Sequence, residues 1–168
     1  LQDLRIESAT VRRIIPSKLE VIIKERKPLA TMVCDYGYLD LDKNGKIIDS
    51  YKNLREMSIP MITGSQVKDN YIGDDVENEI VLQILVFLQK LDAEALEKLS
   101  EVAIISADYI VAYTATEKSV QIRIGKLEER MDEKANLVQD FLHDLDNNPH
   151  DVEYADFSYT APFIKLAR

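Results

Sequence analysis

One segment limits what this chain can become more than any other. After Gly73-Asp74, apolar residues recur at Val76, Ile80, Ile84, Phe87, Leu88 and Leu91, the spacing of one face of an α-helix. Asp74 with Glu77 matches a capping box, so the helix is expected to begin at Asp74. Such a face has to be covered, and most of the remaining chain alternates with the period of strands. A second amphipathic helix is expected from about Asp132 to Leu145, with Leu137, Val138, Phe141, Leu142 and Leu145 on one side, ended by Asp146 to Pro149. The expectation is an α+β fold: a mostly antiparallel sheet packed with two amphipathic helices, preceded by a hairpin.

The strands are read from their alternation. Ser8 to Ile15 and Lys18 to Arg26 form the first hairpin across Pro16-Ser17, with Leu19, Val21 and Ile23 on one face. Twenty-eight residues cannot bury a core, so this hairpin either joins a neighbouring sheet or ends a domain that begins upstream. Leu29 to Tyr38, Glu101 to Ser106, Tyr109 to Thr116 and Ser119 to Gly125 follow as strands, with Leu96 and Leu99 leading into the second of these. Ser58 to Gly64 is extended, and its proline is expected to keep it out of a central ladder. Val152 to Tyr159, continued by Pro162-Phe163-Ile164, makes a terminal strand with apolar groups on both sides. Both faces are covered, or a bulge switches them, and such a strand suits a sheet edge open to a partner.

The stretch "DLDKNGKIID", Asp40 to Asp49, imitates a calcium loop through Asp40, Asp42, Asn44 and Gly45. Its twelfth position is Tyr51, which offers no bidentate carboxylate, and its flanks read as strands. A hairpin turn at Asn44-Gly45, of the type I′ that both residues tolerate, is expected instead.

The composition excludes several function classes. The 168 residues are 46% hydrophobic, and the longest apolar run, within Ile80 to Leu88, is too short to span a bilayer. The first residue is Leu and no leader precedes it, so the chain is expected to be a piece of a longer protein. The net charge of −9 argues against nucleic acid as a partner. Residues 1–28 hold seven Lys/Arg against four Asp/Glu, a balance of +3, which leaves −12 on the remainder. That basic head could lie near anionic lipid. Cys34, the single cysteine, reads as a small buried residue.

No catalytic set emerges. His143 and His150 are the two histidines, near Asp144, Asp146 and Asp151, and read as a solvated helix end. There is no phosphate loop and no nucleophile elbow, so no cofactor, metal or catalytic residue is expected. Tyr36, Tyr38, Tyr109, Tyr113, Tyr154 and Tyr159 could form a carbohydrate platform or pack with hydrogen-bonded tips.

Taken in order, these segments resemble the FtsQ/DivIB family of bacterial cell-division proteins. "VRRIIPSKLEVIIKERKPLA" has the layout of that family's final POTRA strand pair at Val11, Pro16, Leu19, Glu25, Pro28 and Ala30. The D-x-x-G turn at Asp42 and Gly45, "IPMITG" at Ile59 to Gly64 and the long helix follow. "VQIRIG" at Val120 to Gly125, then Lys134 and Leu137, and finally Asp156-Phe157 complete the order. Ser158 stands where the family often has Arg.

The resemblance implies two parts: residues 1–28 as the end of a POTRA domain, with the end of a helix at Leu1 to Arg5, and residues 29–168 as the family's β domain. It implies a non-enzymatic divisome scaffold on the extracytoplasmic side of the membrane at the septum, held by an N-terminal transmembrane helix. Its partners would be FtsB/DivIC-like and FtsL-like proteins, through which it would regulate septal peptidoglycan synthesis. The partner-binding residues would be Tyr154, Asp156, Ser158, Tyr159, Thr160 and Phe163, on an edge running from Tyr154 to Phe163. The alternative is an extracytoplasmic cell-wall carbohydrate-binding or hydrolytic domain, which carboxylates converging in a tyrosine-lined cleft would favour.

Overall fold

The computed structural model describes residues 3–55, 58–67, 70–145, 147 and 151–167. Two sheets form. The first is the hairpin of β1 (Ile6–Ile14) and β2 (Lys18–Glu25), turning at a cis Ile15-Pro16 bond. Leu1 and Gln2 lie outside the described residues, and Asp3 to Arg5 form a turn rather than the end of a helix, with Asp3 accepting from the Arg5 backbone and guanidinium.

The second sheet has nine strands. They are β3 (Ala30–Cys34), β4 (Gly37–Leu41), β5 (Ile47–Tyr51), β6 (Met61–Val67), β7 (Leu99–Ser106), β8 (Tyr109–Thr114), β9 (Gln121–Gly125), β10 (Val152–Asp156) and β11 (Phe163–Leu166). Their spatial order is β11-β10-β9-β8-β7-β6-β3-β4-β5. Five of the eight pairings are antiparallel and three, β3/β6, β6/β7 and β9/β10, are parallel. A parallel pair needs a crossover that returns the chain to the starting end of the sheet. The helices supply two of them: α1 (Glu79–Leu88) with the short α2 (Ala93–Glu97) between β6 and β7, and α3 (Met131–Asp144) between β9 and β10.

The core follows from register. Ala155, Ile122, Ala112, Val102, Ile62, Met32 and Leu39 form one row across seven strands, and all are fully buried. Val81, Ile84, Leu85 and Leu88 of α1 join them in a single cluster, as do Val138 and Leu142 of α3. Each Ile, Leu or Met so placed contributes about 1.5–3 kcal/mol. The next row, Tyr154, Gln121, Tyr113, Glu101, Met61, Thr31 and Asp40, faces the other way and is polar or half-exposed.

Several local expectations change. The N-cap of α1 is Asn78, whose Oδ1 accepts from Ile80 N at 3.0 Å and Val81 N at 3.2 Å. Asp74 is engaged elsewhere: its carboxylate accepts from Tyr71 N and its carbonyl from Ile47 N, so the chain from Gly73 to Val76 is fastened to the β4–β5 hairpin before the helix can start. Residues before β7 form α2, capped by Asp92 accepting from Ala95 N at 2.9 Å, instead of running directly into the strand. β6 is a central strand, because Pro60 sits one residue outside the ladder and its carbonyl accepts from Thr31 N. The terminal segment is two strands rather than one.

The turn between β4 and β5 also differs in kind. Gly45 has φ +82° while Asn44 has no positive φ, so the type I′ turn is not formed. Gly45 N donates to Asp42 O, giving a type I turn followed by a left-handed glycine. Asp42 shapes it, Oδ1 accepting from Asn44 N at 2.8 Å and Lys46 N at 3.0 Å. Its Oδ2 accepts from the Arg26 guanidinium, where the carboxylate is almost wholly buried. That ion pair, together with Glu7 bridging Lys24 and Lys43, ties the first hairpin to the nine-stranded sheet.

Candidate functional site

The two final strands make the end of the sheet. β10 is held on both sides, parallel to β9 and antiparallel to β11, so the edge is β11 and not the Tyr154 to Phe163 run. Tyr154 pairs with Lys165, Ala155 with Ile164 and Asp156 with Phe163, and a bulge between Val152 and Tyr154 shifts the register. Both routes by which this segment could carry apolar groups on two sides are in use. Ala155 and Phe157 are buried toward α3, where Phe157 meets Phe141 edge-on with centroids 5.9 Å apart. Tyr154 faces the open side beneath the Arg123 guanidinium, 3.8 Å above its ring, and meets Phe163 edge-on at 5.6 Å.

The six residues expected at the site separate into three kinds. Asp156 is buried, and its Oδ1 accepts from both the backbone N–H and the hydroxyl of Ser158. Ser158 therefore satisfies a buried carboxylate and packs against Gly125, whose absent Cβ would lie 2.7 Å from the serine Cβ. Tyr154 is half-buried in its cation and aromatic contacts. Tyr159 and Thr160 lie exposed in the turn, and the Tyr159 carbonyl accepts from Arg130 at 2.9 Å. Phe163 alone of the six is on the outer strand.

β11 presents more than the sequence reading assigned to it. Phe163, Ile164 and Leu166 are each close to half exposed. Ala167 N donates inward to Asp151 O, so by strand alternation the N–H groups of Leu166 and Ile164 point away from β10. Between β11 and α3 runs a groove of about 410 Å³, floored by Leu137, Phe141, Phe157, Pro162 and Ile164. Ile164, Lys165 and Leu166 were not among the expected residues; their apolar–basic–apolar alternation, which follows Pro162-Phe163 with the proline at a position tolerated at the start of an edge strand, is the signal that marks them.

Elsewhere, several of the polar groups singled out in the sequence are engaged within the fold. Tyr51, at the position that fails as a calcium ligand, donates to Asp40 Oδ1 at 2.8 Å, and Thr31 donates to the same atom at 3.0 Å. Burial raises the Asp40 carboxyl above its usual range and pushes the Tyr51 phenol up to about 12. His143 pairs with Asp92 at 3.0 Å rather than with its acidic sequence neighbours; His150 and Asp146 lie outside the described residues. Five surface cavities have no tyrosine in their linings, so the tyrosine-lined cleft that would favour a carbohydrate or hydrolytic site is not found among them.

The family model for the C-terminal region of the cell division proteins FtsQ/DivIB matches residues 32–158. The chain belongs to the FtsQ/DivIB family. It is 26% identical over 137 residues to cell division protein DivIB of Clostridium tetani, covering 78% of this chain and 49% of that one. It is 26% identical over 163 residues to FtsQ of Geotalea daltonii, covering 95% of this chain and 58% of the relative. DivIB of Clostridium acetobutylicum is 28% identical over 76 residues, covering 45% of this chain and 30% of that protein. The chain thus spans between about a third and three fifths of these relatives' lengths. Its structure is similar to the major extracytoplasmic domain of DivIB from Geobacillus stearothermophilus, with a TM-score of 0.49 at 16% identity, covering 74% of this chain and 98% of that one. Within the FtsQ/DivIB match lie β4 to β10 and Asp156-Phe157, whereas β11 and the first hairpin fall outside it. No helix of the described residues is long and apolar enough to cross a membrane.

Proposed function

We propose that this chain is a non-enzymatic scaffold of the bacterial division machinery, which binds FtsB/DivIC-like and FtsL-like proteins and through them regulates septal peptidoglycan synthesis. One observation carries the reading: the sheet ends in a strand with outward N–H groups at Ile164 and Leu166 and half-exposed apolar side chains along it. A free edge of this kind pairs with an extended segment of another chain, the backbone giving affinity and the pockets giving specificity. Family membership supplies the division machinery as the setting. In this reading residues 1–28 end a POTRA domain, residues 29–168 are the β domain, and a transmembrane helix upstream holds both on the extracytoplasmic side at the septum.

The contacts divide accordingly. β11 takes the partner strand, Phe163 and Tyr159 offer side-chain contacts, and Tyr154, Asp156 and Ser158 hold β10 and its turn in place behind it. The test is co-purification with the extracytoplasmic segment of the DivIC-like protein encoded by the same genome. The wild-type chain should retain that segment, and Ile164→Pro, which removes an outward donor and leaves the inward ladder bonds, should not. Equal retention by both would contradict strand addition at β11.

A further inference from the structure

We infer that the groove between α3 and β11 selects a cationic partner segment, one that places an apolar side chain against Leu137 and Ile164 and a lysine or arginine at Asp140 and Asp144. This rests on the strand-addition reading above and assigns the chemistry of what that edge accepts.

The charges of α3 single out these two carboxylates. Asp132 pairs with Lys90, Glu133 with Arg130, and His143 with Asp92. Buried Lys134 donates to the Lys126 carbonyl. Asp140 and Asp144 alone have no ion-pair partner among the described residues, and both are exposed on the rim of the groove. They stand four residues apart on one helical face, where like charges repel. Asp144 is also the last residue of the helix, where the dipole disfavours an anion. Both positions therefore weaken the helix that carries them, and nothing within the described residues compensates.

The groove supplies the other half of the recognition. Its floor is apolar, with Leu137 and Phe141 from the helix facing Phe157, Pro162 and Ile164 from the edge. A strand laid along β11 would send alternate side chains to this side of the sheet, continuing the row of Ala155 and Ile164. An apolar residue there would fill the groove, and a cationic neighbour on the same face would reach the two carboxylates. An acidic segment would meet two like charges, so the rim also rejects partners.

The test uses the full chain, with the extracytoplasmic segment of the same DivIC-like protein as probe. Affinity is measured by calorimetry at low and high salt for the wild type, Asp140→Asn/Asp144→Asn, and Ile164→Pro. The double amide variant should bind roughly tenfold more weakly at low salt and lose most of the salt dependence, since paired rim charges are screened by ions. Its thermal midpoint should equal or exceed that of the wild type, which separates a recognition role from a structural one. Unchanged affinity and salt slope in the double variant, with binding abolished by Ile164→Pro, would overturn the cationic selection and leave strand addition standing. Undiminished binding by Ile164→Pro, or no complex with the wild type, would remove strand addition and this inference together.

Discussion

The nine-stranded sheet has two ends, and they are built on opposite plans. At β5 the first residues of the strand are paired again from outside: Ile47 N donates to Asp74 O, Gly73 N to Ile47 O, and Lys46 bridges Asp75 at 2.9 Å. Further along, the Arg55 guanidinium lies 4.0 Å above the Tyr51 ring and pairs with Asp49, while Tyr51 and Thr31 satisfy buried Asp40. At β11 no described residue pairs with the outward N–H groups, the apolar side chains are open, and the adjacent helix carries two carboxylates with no ion-pair partner among the described residues. A free edge is a standing hazard that folded proteins cover or blunt. The first end is fastened at its start and blunted by side chains further along, and the second is neither, which makes the second the place to look for a partner.

Three variants separate these ends, and a fourth serves as a reference. Asp42→Ala strips the turn behind β5 and leaves the Arg26 guanidinium largely buried without its carboxylate; a loss of about 3–5 kcal/mol is expected in chemical denaturation. Ile122→Ala, in the fully buried row on β9, should cost about 2–5 kcal/mol, a purely structural reference for the others. Tyr51→Phe leaves Asp40 with Thr31 as its side-chain donor and should cost about 1–2 kcal/mol while partner retention by β11 is unchanged. Asp140→Asn/Asp144→Asn should do the reverse, raising stability by about 0.5 kcal/mol while weakening the complex. A pattern in which stability and binding fall together at both ends would erase the contrast.

Acid titration probes the β5 end more finely. Burial raises the Asp40 carboxyl, so the folded state holds that proton more tightly than the unfolded chain. Its contribution therefore favours folding at acid pH and declines as the pH rises through the carboxylate range, about 4 and above. Asp40→Asn removes that decline. Its stability relative to the wild type should improve as the pH is raised from 3 to 7 in thermal unfolding, a range set by the ordinary carboxylate value of about 4; a constant difference would contradict a raised Asp40.

Periodicity made the elements legible, and their neighbours decided the rest. The stripe from Ile80 to Leu88 and the alternation Val120, Ile122, Ile124 locate α1 and β9 because burial acts on every residue of the pattern. The start of α1 was misplaced because Asp74 and Asn78 are equally good caps locally, and only the pairing of Gly73 to Val76 with the β4–β5 hairpin decides between them. Pro60 was read as excluding a central strand, though a proline blocks its own position and not the residues after it. The terminal segment merged β10 with β11 because its apolar residues fall on both faces, and the turn through Tyr159 and Thr160 carries no glycine to announce it. The order β7-β6-β3, with two parallel pairings, left no trace in alternation, since parallel and antiparallel strands bury the same face. Six residues were expected at the site and the groove was not: Asp140 and Asp144 look like any wet helix flank until β11 is laid beside them.

Amide hydrogen exchange on the full chain, with and without the DivIC-like segment, tests the free edge directly. Ile164 and Leu166 should exchange rapidly alone and become protected in the complex, while Ile47 to Tyr51 keep the same protection in both. Protection gained at β5, or at neither edge, would contradict a free edge at β11.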